Sequence, residues 1–189
     1  GLVSTAPAVT LSSGGANVMV SMKLPDNKWL LWAAGPSWGA VVTLWQYILV
    51  LLLAAWVLGR YAPTNLKTSH WFLLGLGMTQ VPIAAPVVVV LWLTLLGLRG
   101  RTSDLSWWAH NLAQLALLGF SALSLGMIYW AVHSGLLFQP DMQVSGAGSS
   151  GDVLNWFEHR TEGALPTPWV LWLPLWVWRV GMLLWALWL

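Results

Sequence analysis

Apolar residues form long unbroken runs over most of the chain after residue 36. The clearest run extends from Trp38 to Leu58, and Gln46 is its only strongly polar side chain. About 20 consecutive apolar residues are enough for a helix to cross the hydrocarbon core of a bilayer. The run therefore predicts a transmembrane helix. Three further apolar segments follow, at residues 71–98, 112–132 and 169–189.

The second segment, Trp71 to Leu98, is interrupted near its middle. Pro82 and Pro86 lie there, and each proline removes a backbone donor and disfavours helix at the residue before it. The segment is either one kinked spanning helix or a re-entrant pair of half-helices whose irregular backbone is buried in protein or faces water. The predicted fold class is an all-α integral membrane protein with about four hydrophobic helical segments.

The N-terminal stretch has a different pattern. Residues 2–32 are rich in Val, Ser, Thr and Gly, and apolar and polar residues partly alternate from Asn17 to Leu24. This alternation predicts a strand with one exposed face. Since an isolated hairpin is marginal in water, we expect these strands to complete a sheet formed by sequence outside the chain or by a partner. Residues 1–36 are thus predicted to end a larger β-rich domain, and residues 37–189 to form a helical membrane domain.

A polar loop at residues 139–166 separates the last two apolar segments. It contains Gly-rich and Ser-rich sequence and then a short predicted helix from Val153 to His159. The loop is mainly acidic, because Arg160 is its only Lys or Arg. Its carboxylates are those of Asp141, Asp152, Glu158 and Glu162. The links on either side of the second segment are basic instead and contain Arg60, Lys67, Arg99 and Arg101.

These charges bear on the orientation of the chain. If the second segment is re-entrant, the four basic residues of the links lie on one face of the membrane and the acidic loop lies on the other. If it spans, the two links lie on opposite faces, and the difference in the number of Lys and Arg residues between the faces largely disappears. Because Lys and Arg are enriched in cytoplasmic loops, the pattern slightly favours re-entrance and an extracytoplasmic N-terminal region. We expect a multi-pass protein of the bacterial inner membrane. Cysteines at positions 64 and 103 that react from the same side would exclude a spanning second segment.

Composition excludes several classes of protein. The chain is 58% hydrophobic and 7% charged, whereas soluble domains contain roughly 25% charged residues. Its net charge of +2 is scattered, unlike the basic stripe of a nucleic-acid-binding protein, so no nucleic-acid partner is expected. The absence of cysteine excludes disulfides and thiolate chemistry. No phosphate-binding or dinucleotide-binding motif occurs, so no cofactor is expected.

Arg179 is the strongest candidate for a polar site inside the membrane. It lies at the midpoint of the fourth segment, where a cation costs about 2.5 to 3.5 kcal/mol if that segment spans. We expect Glu158 or Glu162, freed backbone carbonyls or another chain to satisfy it. Helical spacing puts Trp172 and Trp176 on the same face, where an indole attracts a cation. The alternative is a tilted helix that lifts the guanidinium to the headgroups.

Two other polar residues lie within apolar segments. Gln80 is in the interrupted segment, where transporters place substrate sites, but a structural kink whose polar groups satisfy one another is the favoured interpretation. His133 is the deepest of four histidines, and none of the four pairs with another at the spacing of metal ligands. No metal site is predicted. Many of the 17 tryptophans lie near segment ends and indicate an aromatic belt.

Four motifs carry a resemblance to a known group of proteins. They are Leu24-Pro25-Asp26-Asn27-Lys28-Trp29-Leu30-Leu31-Trp32 with Gly35-Pro36, Pro140-Asp141-Met142-Gln143, Leu154-Asn155-Trp156 and Pro166-Thr167-Pro168-Trp169. In these motifs the chain resembles the C-terminal membrane region of large envelope proteins from Gram-negative bacteria. The resemblance implies a larger extracytoplasmic portion upstream and supplies no activity and no catalytic residues. The chain begins with Gly1 and stops inside an apolar run, so we expect a fragment of a longer protein.

The favoured function is a non-enzymatic membrane module that anchors and orients an extracytoplasmic domain. Ala109, Ala113, Ala116 and Gly119 give the third segment a face of small residues, which is predicted to pack against a helix of a partner chain or of a second copy. The alternative is a channel or transporter subunit that uses the interrupted segment and Arg179. A weaker alternative is a lipid-modifying enzyme with its chemistry in residues 139–166.

Overall fold

The computed structural model describes residues 1–10, 12–25, 27–36, 38–99, 107–165 and 167–189. Predictions that involve Arg101, position 103 and the motif residues Asp26 and Pro166 lie outside the described residues. The chain forms two compact units. We call the first, Gly1–Tyr47 with Pro140–Val180, the β unit, and the second, Ile48–Gln139 with Gly181–Leu189, the helical unit.

Within the described residues the β unit contains eight strands in three antiparallel sheets, ordered β1-β8-β3, β2-β7-β4 and β5-β6. The strands are β1 (Val3–Thr5), β2 (Gly15–Lys23), β3 (Lys28–Ala34), β4 (Trp38–Gly39), β5 (Val41–Val42), β6 (Val144–Ser145), β7 (Val153–Thr161) and β8 (Trp169–Pro174). The N-terminal strands therefore pair with strands that come from residues 144–174 of the same chain.

The longest pairing joins β2 to β7. Its register runs from Gly15 opposite Thr161 to Lys23 opposite Val153. Asn17 interrupts the ladder with a positive φ of 55°, so the regular edge of β2 starts after it. A short polar side chain tolerates this left-handed conformation better than most residues do. From residue 18 onwards the strand is regular and alternates between partly buried and exposed positions.

The two three-stranded sheets share one hydrophobic core. Leu154 and Trp156 of β7 belong to the same buried cluster as Leu30 of β3 and Val170 of β8. The Trp156 indole lies so close to the backbone of Gly39 that no Cβ could fit there. Full burial of a large apolar side chain contributes about 1.5 to 3 kcal/mol. The β unit therefore has a folded core of its own.

Five helices complete the described fold. They are α1 (Leu44–Tyr61), α2 (Thr68–Gly77), α3 (Ala84–Arg99), α4 (Trp107–Leu137) and α5 (Leu175–Trp188). A 3-10 turn, Met78–Gln80, follows α2 directly. Within the described residues α1 and α4 are long and apolar enough to cross a membrane, judged by length and composition. These two helices point to a membrane location.

The helical unit is held together by close contacts at small residues. Trp185 of α5 packs directly on Gly77 at the end of α2, and its indole N–H donates to the carbonyl oxygen of Leu73 at 2.8 Å. Met182 packs in the same way on Gly135 of α4. Glycine removes the Cβ that would otherwise keep these side chains away from the helix backbone. The second half of α5 is thereby fixed to α2 and α4.

The predicted all-α fold is wrong. Over the described residues the structure is 52% helix and 24% strand and has two candidate membrane helices instead of four. The apolar run 169–189 begins with strand β8, and the predicted helix Val153–His159 is strand β7. The start of the run 38–58 forms β4 and β5 before α1 begins. The reason is pairing: these segments supply the partners that the N-terminal strands need, so the sheets are completed within the chain.

Two other predictions about local structure are confirmed. Most of residues 2–32 is extended, as β1, β2 and β3. The second segment is broken, because α2 ends at Gly77 and α3 begins only at Ala84. Pro82 lies in the gap, whereas Pro86 lies in the first turn of α3, where a missing backbone N–H costs no helical hydrogen bond.

Candidate functional site

The β unit has an open groove of about 510 Å³. One wall is formed by consecutive residues 4–7, from β1 and the chain just after it. The other wall is formed by consecutive residues 20–25, at the end of β2. Val9 and Leu165 add apolar surface, and Lys28 also lines the groove. Consecutive residues in both walls mean that backbone edges, as well as side chains, border the space.

A small group of side chains next to this groove is ordered around Trp172. The Lys28 Nζ lies 3.7 Å from the centre of the Trp172 ring, in the geometry of a cation–π interaction. The Trp172 indole N–H donates to the Ser4 hydroxyl at 3.0 Å. Ser4 and Lys28 both line the groove. The indole thus holds a lysine and the edge strand β1 in place together.

Trp172 is one of the residues predicted to surround Arg179, but the structure gives it a different cation. It lies on strand β8, whereas Arg179 lies on α5, which starts at Leu175. The helical spacing assumed for Trp172 therefore does not exist. Arg179 is exposed and lies near the start of its helix, not at the midpoint of a spanning segment. Trp176 is also on α5 and is 64% exposed.

The two proposed carboxylate partners of Arg179 lie elsewhere in the β unit. Glu158 is on β7 opposite Val18, and Glu162 follows the end of that strand. Among the described residues, no ion pair connects Arg179 with either carboxylate. The structure therefore does not assemble the predicted constellation of Arg179 with these residues, and Trp172 is the member that enters a defined polar contact.

Gln80 and His133 occupy separate positions in the helical unit. The Gln80 side-chain amide donates to the Thr79 hydroxyl at 3.2 Å. The His133 ring lies 6.0 Å from that of Tyr129 and 5.6 Å from that of Phe138, measured between ring centres. Over the residues for which positions are described, no group of three or more His, Asp or Glu side chains could hold a metal ion. Among the contacts described for His133 and Gln80, none forms a recognisable catalytic arrangement.

Two grooves with largely apolar linings lie among the described residues of the helical unit. One, of about 390 Å³, lies between α3 and α4, with Ala113 and Ala116 on one side and Leu95 and Leu98 on the other. The other, of about 480 Å³, is lined by apolar residues together with His70, Trp92 and Trp188. Ala109, Ala113 and Ala116 are exposed, and a Cβ on Gly119 would have open space around it. The small-residue face of α4 therefore has room for another helix.

Sequence reasoning missed Lys28 and Ser4 as partners of Trp172. One signal was present: residues 153–161 include the β-branched Val153 and Thr161 and the aromatic Trp156 and Phe157, residue types that are typical of a strand. Recognising β7 would have shown that strands from both ends of the chain pair. The contact between Lys28 and Trp172 follows from that pairing, since Lys28 lies opposite Pro174 in the sheet.

Comparison with known proteins offers no relative for this site. No protein-family model, no curated protein and no solved structure matches the chain. A function must therefore be inferred from the residues and contacts of the chain itself.

Proposed function

We propose that the chain is a non-enzymatic membrane module in which α1 and α4 cross the bilayer and carry the β unit on one face. The observation that carries this proposal is the outward-facing apolar surface of both helices. In α1, Leu49 and Leu53 are 60% and 59% exposed, and in α4, Leu118 is 69% exposed. Helices that expose apolar side chains on this scale belong in lipid or against another protein.

The distribution of charge supports the same arrangement. All four described carboxylates, those of Asp141, Asp152, Glu158 and Glu162, are in the β unit. The described Lys and Arg residues of the helical unit lie at helix ends: Arg60 in the last turn of α1, Lys67 just before α2, and Arg99 at the end of α3. Charged side chains at these positions can reach the headgroups and leave the helix centres apolar.

Connectivity favours the re-entrant form of the second segment. Thr43, just before α1, uses its backbone N–H and its hydroxyl to donate to the carbonyl oxygen of Gln143, which follows α4, at 2.8 and 2.7 Å. If α1 and α4 both cross the membrane, they therefore start and end on the same face. The end of α1 and the start of α4 then share the opposite face. Residues 68–99 must enter and leave through that face, as a pair of shorter helices joined by the turn at Met78–Gln80.

This topology also orients the chain. Arg60, Lys67 and Arg99 lie on the face that holds both links, and Lys and Arg near helix ends mark the cytoplasmic side. The β unit would then be extracytoplasmic, in the inner membrane of a bacterium. The loose resemblance to the membrane region of Gram-negative envelope proteins agrees with this placement.

The same proposal includes a partner helix at the small-residue face of α4. Ala109, Ala113 and Ala116 are exposed there, and Gly119 has open space beside it. In a bilayer the packing of backbones at small residues drives association between helices. We therefore expect a second copy of the chain or another membrane chain at this face.

The channel alternative relies on Gln80 and Arg179, which belong to different units of the chain.

Single-cysteine labelling tests the topology directly, because the chain has no native cysteine. The variants are Ser12→Cys in the β unit, Asn65→Cys in the first link and Ser103→Cys in the second. Asn65 is preferred to its neighbour Thr64 because it is exposed. A membrane-impermeant maleimide should label the two link variants from one side and Ser12→Cys from the other. Labelling of the two links from opposite sides would contradict the re-entrant arrangement.

Mass measurement of the intact particle in mild detergent tests the role as a packing module. The proposed function predicts a particle with more than one chain. The same preparation reconstituted into liposomes should show no ion flux above that of empty liposomes. A strictly monomeric particle that conducts ions would overturn the proposed function and favour the channel alternative.

A further inference from the structure

We infer that the groove of the β unit binds an extended, acidic peptide segment of a partner protein, which adds as a strand to the free edge of β2. This inference concerns the β unit alone and does not depend on the membrane topology. It rests on the backbone groups that border the groove, on its apolar surface and on the two lysines beside it.

The edge of β2 offers unpaired backbone groups to the groove. The Leu24 N–H donates to the carbonyl oxygen of Asp152, so Leu24 and every second residue before it face β7. The backbone N–H and C=O groups of Met19, Ser21 and Lys23 therefore point away from β7. In the described part of the chain β2 pairs with β7 alone. Residues 18–23 thus form a regular edge that can accept another strand.

The opposite wall is also a strand edge. The carbonyl oxygen of Leu2 accepts a hydrogen bond from the backbone N–H of Trp172. The backbone N–H of Ala6 donates to the carbonyl oxygen of Pro168. These bonds face β8, so the backbone groups of Val3 and Thr5 point the other way. Within the described residues β1 pairs only with β8. The groove therefore lies between the terminal strands of two sheets, which suits a chain in extended conformation.

The side chains around the groove specify what kind of peptide fits. Val9 and Leu165 provide apolar surface for side chains that would face inward at every second position of an added strand. Lys23 and Lys28 are the charged residues among the described lining residues, and both are positive. A strand that adds to a sheet edge gains affinity from main-chain hydrogen bonds and specificity from alternate side chains. The partner segment should therefore alternate apolar and polar residues and carry a carboxylate near these lysines.

The experiment uses the full chain in detergent micelles and a fluorescein-labelled octapeptide of alternating Val and Thr whose first residue is glutamate. An antiparallel strand would place this glutamate at the Lys23 end of β2. A twin peptide carries N-methyl groups on alternate amides and cannot form the main-chain ladder on one edge. Fluorescence anisotropy should show binding of the first peptide and at least tenfold weaker binding of its twin. Equal affinity of the two peptides would overturn the inference.

Matched variants locate the binding edge. Lys23→Glu should weaken binding about threefold to fivefold at low salt, as expected for a partly solvated ion pair. Arg160→Glu reverses an exposed cation of β7 outside the groove and should leave the affinity unchanged. Met19→Pro removes a free-edge N–H and should abolish binding, whereas Met19→Thr keeps that N–H and should retain it. Equal loss with Lys23→Glu and Arg160→Glu would show non-specific attraction and would overturn the inference even if Met19→Pro failed to fold.

Discussion

The two units of the molecule differ in where their large apolar side chains lie. In the β unit the large side chains of Leu30, Leu154 and Trp156 are buried in one core, and the exposed positions of β7 include charged and polar residues. In the helical unit many leucines of α1 and α4 are exposed, among them Leu52, Leu53 and Leu115. The β unit is therefore stabilised by its own core, whereas the helical unit needs a surrounding of lipid or protein to cover its surface.

Removal of the Trp156 side chain should have the largest effect of any single substitution in the core of the β unit. Trp156→Ala should cost about 3 to 5 kcal/mol, because the indole fills the core between the sheets. Hydrogen exchange followed by mass spectrometry should show faster exchange in β2 and β7 and little change in α4. Phe157→Ala, on the opposite face of the same strand and 40% exposed, is the control and should cost less than about 1 kcal/mol. Equal acceleration of exchange in α4 would show that the β unit has no separate core.

A methyl group added at Gly77 should destabilise the helical unit. The Trp185 indole occupies the space that a Cβ would need, so Gly77→Ala should cost about 1 to 3 kcal/mol through overpacking. Gly181→Ala is the matched control on α5, where a Cβ meets nothing within 4 Å. It should be neutral or slightly stabilising because alanine favours helix more than glycine does. Thermal melting in detergent distinguishes the two, and similar melting temperatures would contradict the packing of α5 on α2.

The small-residue face of α4 is predicted to contact another chain, so substitutions there should affect association and not the fold of the single chain. Ala113→Leu or Ala116→Leu should weaken association by about 1 to 2 kcal/mol, the lower part of the range for overpacking, and leave the melting temperature of the single chain nearly unchanged. Ala122→Leu makes the same change on the side of the helix opposite Ala113, since nine residues at about 3.6 per turn correspond to two and a half turns. Particle mass in detergent is the measurement. Loss of association in Ala122→Leu alone would place the interface on the opposite face.

Local pattern predicted part of this fold well. The long apolar run before Leu58 is helical over most of its length, and the prolines after Gln80 coincide with a real break. Both features depend on neighbouring residues, so a single sequence reveals them. The first six residues of the run from Trp169 were assigned wrongly, because a short apolar stretch fits a buried strand and a buried helical segment equally well. Only the pairing of these residues with β1 and β3 decides that they form a strand.

The candidate site was harder to predict for the same reason. Trp172 was recognised as a residue able to hold a cation, but the cation was taken to be Arg179 on an assumed common helix. The true neighbour, Lys28, comes from a strand far away in sequence, and the ladder between β3 and β8 brings it close. Sheet register joins distant residues and leaves no local signal, so the spacing of nearby residues could not identify this pair.

The smallest predicted effect separates these two cations. Lys28→Met removes a charge that lies over the Trp172 ring and should cost about 0.5 to 1 kcal/mol, the usual value of a partly exposed cation–π contact. Arg179→Met changes an exposed residue near the start of α5 and should alter stability by no more than about 0.5 kcal/mol. Both variants replace a long basic side chain with a thioether of similar reach, so the apolar packing of the chain stem is largely preserved. The change in stability of each variant is measured by chemical denaturation, with hydrogen exchange in β8 as the signal for unfolding of the β unit. If Arg179→Met proves the more damaging of the two, the guanidinium has acceptors in the assembled membrane protein, and the polar site predicted around Arg179 from the sequence is formed with another chain.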